Sequence, residues 1–350
     1  MLIKLQENIV NQNSERSCRR SFLKTSVLSS LGLSAMAVTR PAADGISELY
    51  AGLKSGGFFE SDIRTETRLP DDASFTEGPA ASPDGLVYFT NIPASRIYRW
   101  DPDARELTVF RENSGKANGL AFDHQGRLLV CEQVPARVTR IDIRTGQTSV
   151  VAERFQGAGL EPPNDLAIDR HGRIYFSSRP SSDAPTRGGI NGVYRVNVDG
   201  GIERILSAPD VQMPNGVALS PDERFLYVVE SHPDEGHNRH IRSYPLNDRG
   251  ELGKPDVLID FYPGRSGDGM CVDSAGNLYV AAGLHKVRRT SETLDTRPGI
   301  HVISPRGQLL AFAKTPVDTI TNCTFGGKDR KTLFVTCGPF LLSIRTIIPG

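Results

Sequence analysis

The chain has 350 residues, 38% hydrophobic and 23% charged, proportions that belong to an ordinary globular protein. Its 41 basic residues balance its 41 acidic ones, which excludes a polybasic face for nucleic acid and an acidic tail. With 34 glycines and 23 prolines it suits a fold made of many tight turns.

The N-terminal stretch reads as an export address. Arg19-Arg20 precede Phe22-Leu23-Lys24, and a weakly apolar run follows from Val27 to Val38, too short to span a bilayer. Ala35-Met36-Ala37 and Pro41-Ala42-Ala43 offer small-residue cleavage sites, so residues 1–43 are expected to be a twin-arginine-type signal and its cleavage region. That address predicts a periplasmic or secreted protein, with the twin-arginine export machinery as a partner and no stable membrane insertion. Residues 44–59 read as a linker and 60–350 as the folded domain. Cys18 would leave with the signal. Cys131, Cys271, Cys323 and Cys337 lack metal-ligand spacing and read as buried thiols, with a Cys323–Cys337 bridge left open.

From residue 77 one pattern recurs: a polar residue, a small one, two or three apolar residues, an Asp/Gly turn, then a second apolar strand. Copies begin at Glu77, Asn118, Asn164, Asn215, Asp268 and Asn322, in steps of 41, 46, 51, 53 and 54 residues. Weaker strands such as RIYRWD, RVTRID and GVYRVN follow the pairs. Alternating short strands at this period predict an all-β, six-bladed β-propeller with four-stranded antiparallel blades. After LFVTC only FLLSIRTI remains, so the extended DIRTETRLP (62–70) is expected to supply the missing outer strand and close the ring.

In a propeller the first strand of each blade lines the channel, so the six starting residues should ring one mouth. Loops 91–95, 132–136, 178–190, 231–240 and 283–298 should share that face. Carboxylates and amides converging on an axis are costly unless something satisfies them. Their all-oxygen character suits Ca²⁺, with Mg²⁺ or Mn²⁺ as alternatives and Zn²⁺ fitting less well. Glu77, Asn164, Asn215 and Asp268 form the expected ligand set, whereas Asn118 and Asn322 read as turn chemistry.

The segments FTEGPAAS…VYFTNIPASRIYRWD, ANGLAFDHQGRLLVCE, PPNDLAIDRHGRIYFSS, PNGVALSPDERFLYVVE, GDGMCVDSAGNLYVA and TNCTFGGKDRKTLFVTC resemble the gluconolactonase/regucalcin (senescence-marker-protein) family over about residues 70–340. The resemblance implies a six-bladed propeller that holds a divalent ion, usually Ca²⁺, and hydrolyses sugar lactones. It implies the same four ligands, with Asp268 both ligand and general base. Asn164, Asn118 and His232 are expected to contact substrate. Two positions depart from the family: Pro162 stands where the regucalcin branch has an arginine, and Ala80-Ala81 replace a frequent Trp. Arg179, Arg288 and Arg289 lie on mouth-side loops and could replace that arginine. His232, His237 and His240 fall in what reads as a solvated loop. No G-x-S-x-G elbow or dinucleotide fingerprint is present. An organophosphate or other ester hydrolase on the same metal site, or a non-catalytic ligand-binding propeller, remains an alternative.

Overall fold

The run LLVCE shows why this sequence makes blades. Leu128 and Val130 face one neighbouring blade, while Leu129 and Cys131 face the other. Side chains alternate across a strand, so a strand buried on both faces must be apolar throughout. LYVAA (Leu278–Ala282) and TLFVTC (Thr332–Cys337) are likewise buried at every position.

The computed structural model describes residues 49–71, 73–182, 189 and 191–350. The expected signal region and residues 44–48 lie outside the described residues. Six four-stranded antiparallel sheets follow one another as the blades of a β-propeller. The inner strands are Thr76–Ala81, Ala117–Phe122, Pro163–Ile168, Pro214–Leu219, Gly267–Val272 and Ile320–Gly326, defining blades one to six. Each inner strand touches the next, and the sixth returns to the first. Among the described residues the core divides into six apolar clusters, one at each blade–blade interface.

Blade six is closed as expected. Arg64–Arg68 pairs antiparallel with Phe340–Arg345, setting Thr65 opposite Leu342. Glu66 is buried there, accepting from Ser343 Oγ at 2.6 Å and pairing with Arg64 at 2.7 Å. Leu69, just beyond that strand, packs with Val87, Phe89, Trp100, Phe334 and Leu341 across the seam.

The Asp/Gly turns also form as the sequence implies. Asp273 Oδ1 accepts from the amides of Ala275 (3.0 Å) and Asn277 (2.8 Å), and Gly276 takes the left-handed φ of +87°. The hairpin of blade five therefore turns at 274–277 and leaves Asp268 at the opposite end of its strand.

Of the segment expected as a linker, residues 49–59 lie against blade five and the closing blade. Tyr50 is buried, its hydroxyl 2.7 Å from His301 Nε2 and its ring edge-on to Phe312. Phe59 joins the cluster between blades five and six. The four described cysteines are free thiols; Cys323 Sγ lies 3.5 Å from Cys271 Sγ rather than against Cys337. Among the described residues no helix is long and apolar enough to cross a membrane.

Leu69 tests the closure. Leu69→Ala leaves a cavity at the seam and should cost about 2–5 kcal/mol, read as a lower urea midpoint. An unchanged midpoint would mean that the N-terminal strand does not hold the ring together.

Candidate functional site

Every inner strand carries a register shift near its start: between Glu77 and Ala80, Ala117 and Leu120, Pro163 and Leu166, Pro214 and Val217, Gly267 and Met270, and Ile320 and Asn322. A bulge re-aims the side chain beside it. Sixfold repetition puts all six of these bulges at one level of the channel. The strands are so close there that glycine is required. A Cβ on Gly269 would lie 2.0 Å from Asn322 Cγ, and one on Gly216 would lie 2.5 Å from the Asp268 carbonyl. The Gly after the polar residue is therefore a packing requirement.

Glu77, Asn118, Asn164, Asn215 and Asp268 line one cavity of about 340 Å³ at the mouth. All five are buried. Asn322 does not join them. It lines a different channel cavity of about 580 Å³, and its Oδ1 accepts from the Cys323 amide at 2.8 Å. The mouth-side loops contribute Ile92, Gln133, Arg179, Ser231, Pro233, Arg288, Thr290 and Glu292 to the mouth cavity. His232 is not part of that lining, although both of its chain neighbours are. Its ring stacks on His237 at 3.8 Å, and its Nδ1 accepts from the Asp234 amide at 3.2 Å.

The two carboxylates are held differently. Asp268 accepts from Arg265 through Oδ2 and from Asn215 Nδ2 through Oδ1, the latter at 2.5 Å. Asn215 Nδ2 also donates to Ser231 Oγ at 3.2 Å. Glu77 has no cation within ion-pair distance among the described residues, and its Oε2 accepts only from the Gly78 amide at 3.0 Å. Burial and then the nearby Asp268 push the Glu77 carboxyl well above its ordinary range. The side-chain amides of Asn118 and Asn164 make no hydrogen bond among the described residues. Among those residues no cluster of three His, Cys, Asp or Glu side chains is placed to hold an ion. The donor set is thus two carboxylates completed by amides.

Sequence reasoning missed three contributors. Arg265 sits three residues before Asp268 and donates to the carbonyl of Ile320 at 3.0 Å as well as to the carboxylate. Asp165, where four of the other blades have Gly, is buried beside Asn322, and burial raises its carboxyl to about 7. Arg239, 1% exposed, fixes the loop expected to be solvated. It donates to the carbonyls of His232 (2.9 Å), Pro233 (2.8 Å) and Pro263 (2.6 Å) and to Ser291. One guanidinium therefore ties the loop bearing Pro233 to the loop bearing Arg288, Thr290 and Glu292.

A six-bladed propeller whose axial mouth holds acids and amides defines a class of protein, and the comparisons agree. The family model described as "SMP-30/Gluconolactonase/LRE-like region" matches residues 75–338, and the chain belongs to that family. It is 29% identical over 307 residues to a gluconolactonase of Zymomonas mobilis, an alignment spanning 79% of this chain and 80% of the relative. A 6-deoxy-6-sulfogluconolactonase of Pseudomonas putida is 29% identical over 256 residues, 72% and 78% of the two chains. The solved structure of a gluconolactonase from Xanthomonas campestris superposes with a TM-score of 0.70 at 28% identity, covering 83% of this chain and 92% of that one.

Glu230, beside the cavity, gives a pH test. Its Oε2 accepts from the amides of Gln212 (2.8 Å) and Met213 (3.1 Å), while its Oε1 is buried without a partner. Burial raises this carboxyl to about 7. A raised carboxyl stabilises the fold below its ordinary value, and that contribution is lost as pH rises towards 7. The swing is roughly 3 kcal/mol between about pH 4.5 and 7. Glu230→Gln should flatten the pH dependence of urea stability in that window, and parallel profiles for the two proteins would refute the assignment.

Proposed function

We propose that the chain is a divalent-metal-dependent hydrolase that opens a sugar lactone, with Ca²⁺ as the ion. The observation that carries this reading is Glu77, a buried carboxylate beside a second carboxylate, with unpartnered amides in the same cavity. Such a group calls for a cation, and all-oxygen donors suit Ca²⁺ first, then Mg²⁺ or Mn²⁺, with Zn²⁺ last. Glu77, Asn164, Asn215 and Asp268 would hold it. When bound, a divalent ion polarises a carbonyl and offsets the charge that develops on its oxygen.

The rest of the chemistry belongs to side chains. Arg265 and Asn215 fix the Asp268 carboxylate, so it can take the proton from a water attacking the lactone carbonyl. The ring C–O bond then breaks, and the proton passes to the departing alkoxide to leave the hydroxy acid. Asn118 and Asn164 have amide groups free to bond the sugar hydroxyls. Phe75, Ile92 and Met213 give the cavity an apolar wall. His232, expected to contact substrate, lies outside the lining, and its neighbours Ser231 and Pro233 reach the cavity instead. The relatives named gluconolactonase support the reaction class. Export by the twin-arginine route belongs to the same proposal, supported by Arg19-Arg20 and the run that follows.

Calcium titration with proton release from lactones tests this reading. Asp268→Asn should lower kcat/KM by about 100-fold or more, the scale of a lost general base. Glu77→Gln should abolish calcium binding in calorimetry. Full lactone turnover in a chelator, or by Asp268→Asn, would sink this mechanism, and a wild type that binds calcium but hydrolyses no lactone would favour a binding propeller.

A further inference from the structure

Among the described residues three arginines line the mouth cavity, and two of them have no carboxylate in contact, although Asp268, Glu77 and Glu230 act on Arg179, and Asp318 and Glu292 on Arg288, from further away. Arg265 is occupied by Asp268 and by the Ile320 carbonyl. Arg179 lies on the loop leaving the second strand of blade three and Arg288 on the loop leaving the second strand of blade five. Among the described residues neither forms an ion pair. Arg179 Nη1 donates only to Ser231 Oγ at 3.2 Å, and its Nε is buried with no partner. Arg288 Nη2 reaches only Thr319 Oγ1, at 3.4 Å. Burial disfavours the charge on Arg179, whose guanidinium lies where an anion would be welcome, and Arg288 stands exposed at the rim of the same cavity.

The charge count agrees. Among the described residues of the lining, Arg179, Arg265 and Arg288 balance Glu77, Asp268 and Glu292. A dication on the carboxylate pair would leave the cavity at plus two. A neutral sugar lactone brings nothing to offset that excess, whereas an acidic one does. A guanidinium also presents forked donors that match carboxylate, sulfonate and phosphate oxygens.

We propose that Arg179 and Arg288 form an anion subsite, so that the substrate is an aldonolactone carrying an acidic group on its carbon chain, away from the ring ester. This rests on the lactonase reading. The lactone carbonyl lies toward Asp268, and the remote acid lies between the two mouth-side loops. Pro162, which stands where a related branch has an arginine, does not leave the cavity without a guanidinium, because Arg179 enters from the following loop.

The test uses two five-membered lactones that differ at one carbon: D-glucaro-1,4-lactone, with a carboxylate, and D-glucono-1,4-lactone, with a hydroxymethyl. Wild-type protein with calcium should favour the glucaro compound by about tenfold or more in kcat/KM, the value of one charge-assisted contact. Arg179→Gln and Arg288→Gln should erase that preference chiefly through KM, and Arg179→Lys should keep part of it. A wild type that prefers the neutral lactone, or an Arg179→Gln variant with an unchanged ratio, overturns the subsite. Calorimetry with the open-chain products D-glucarate and D-gluconate reads the same subsite without turnover. If neither lactone is hydrolysed but glucarate binds more tightly than gluconate and loses that advantage in Arg179→Gln, the subsite stands and the lactonase reading fails. Equal binding of the two acids would refute the subsite by itself.

Discussion

Glu77 and Asp268 reach one cavity at the mouth from blades one and five, and burial, then the proximity of Asp268, disfavours the ionisation of Glu77. Much of the mouth can be understood as a response to that pair. Arg265 and the Asn215 amide are bonded to Asp268, while Glu77 keeps a single backbone amide. Two carboxylates so placed would be destabilising in a protein without a ligand for them. Their persistence at the axis is the structural argument that this mouth is a site and the other end of the channel a differently lined space.

The ring of blades makes the convergence possible. Because the inner strands start in bulges at one level, residues separated by about 190 positions along the chain become neighbours. The cost falls on side-chain size, since Gly216 and Gly269 each face the backbone or amide of the next blade. A blade-start polar residue followed by glycine is thus one unit: the first supplies chemistry and the second supplies room. Blade three breaks the unit with Asp165 and places a third carboxyl near the axis, where the Leu166 amide and Asn322 receive it.

The repeat made the architecture and the acid–amide ring legible in the sequence, because a fixed period maps each polar residue to an equivalent place. What it could not show are features set by contacts across the ring. Arg265 and Arg239 look like any loop arginine, and only the folded chain reveals that carbonyls from several loops converge on Arg239. Tyr50 lies in a stretch that reads as linker, because its partner His301 is 251 positions away. Likewise Asn322 carries the same blade-start signature as Asn164, yet its side chain bonds its own strand and opens to the other cavity.

The closing strand has a consequence for how the chain is made. Glu66 and Ser343, bonded across the seam, are 277 positions apart. Such a contact forms only after the last blade has left the ribosome, and long-range pairing of this kind is slow. Until then blade six lacks its outer strand and presents a bare edge able to pair with another chain. Closure of the ring therefore waits on both ends of the propeller, and an N-terminal segment held elsewhere would keep it open.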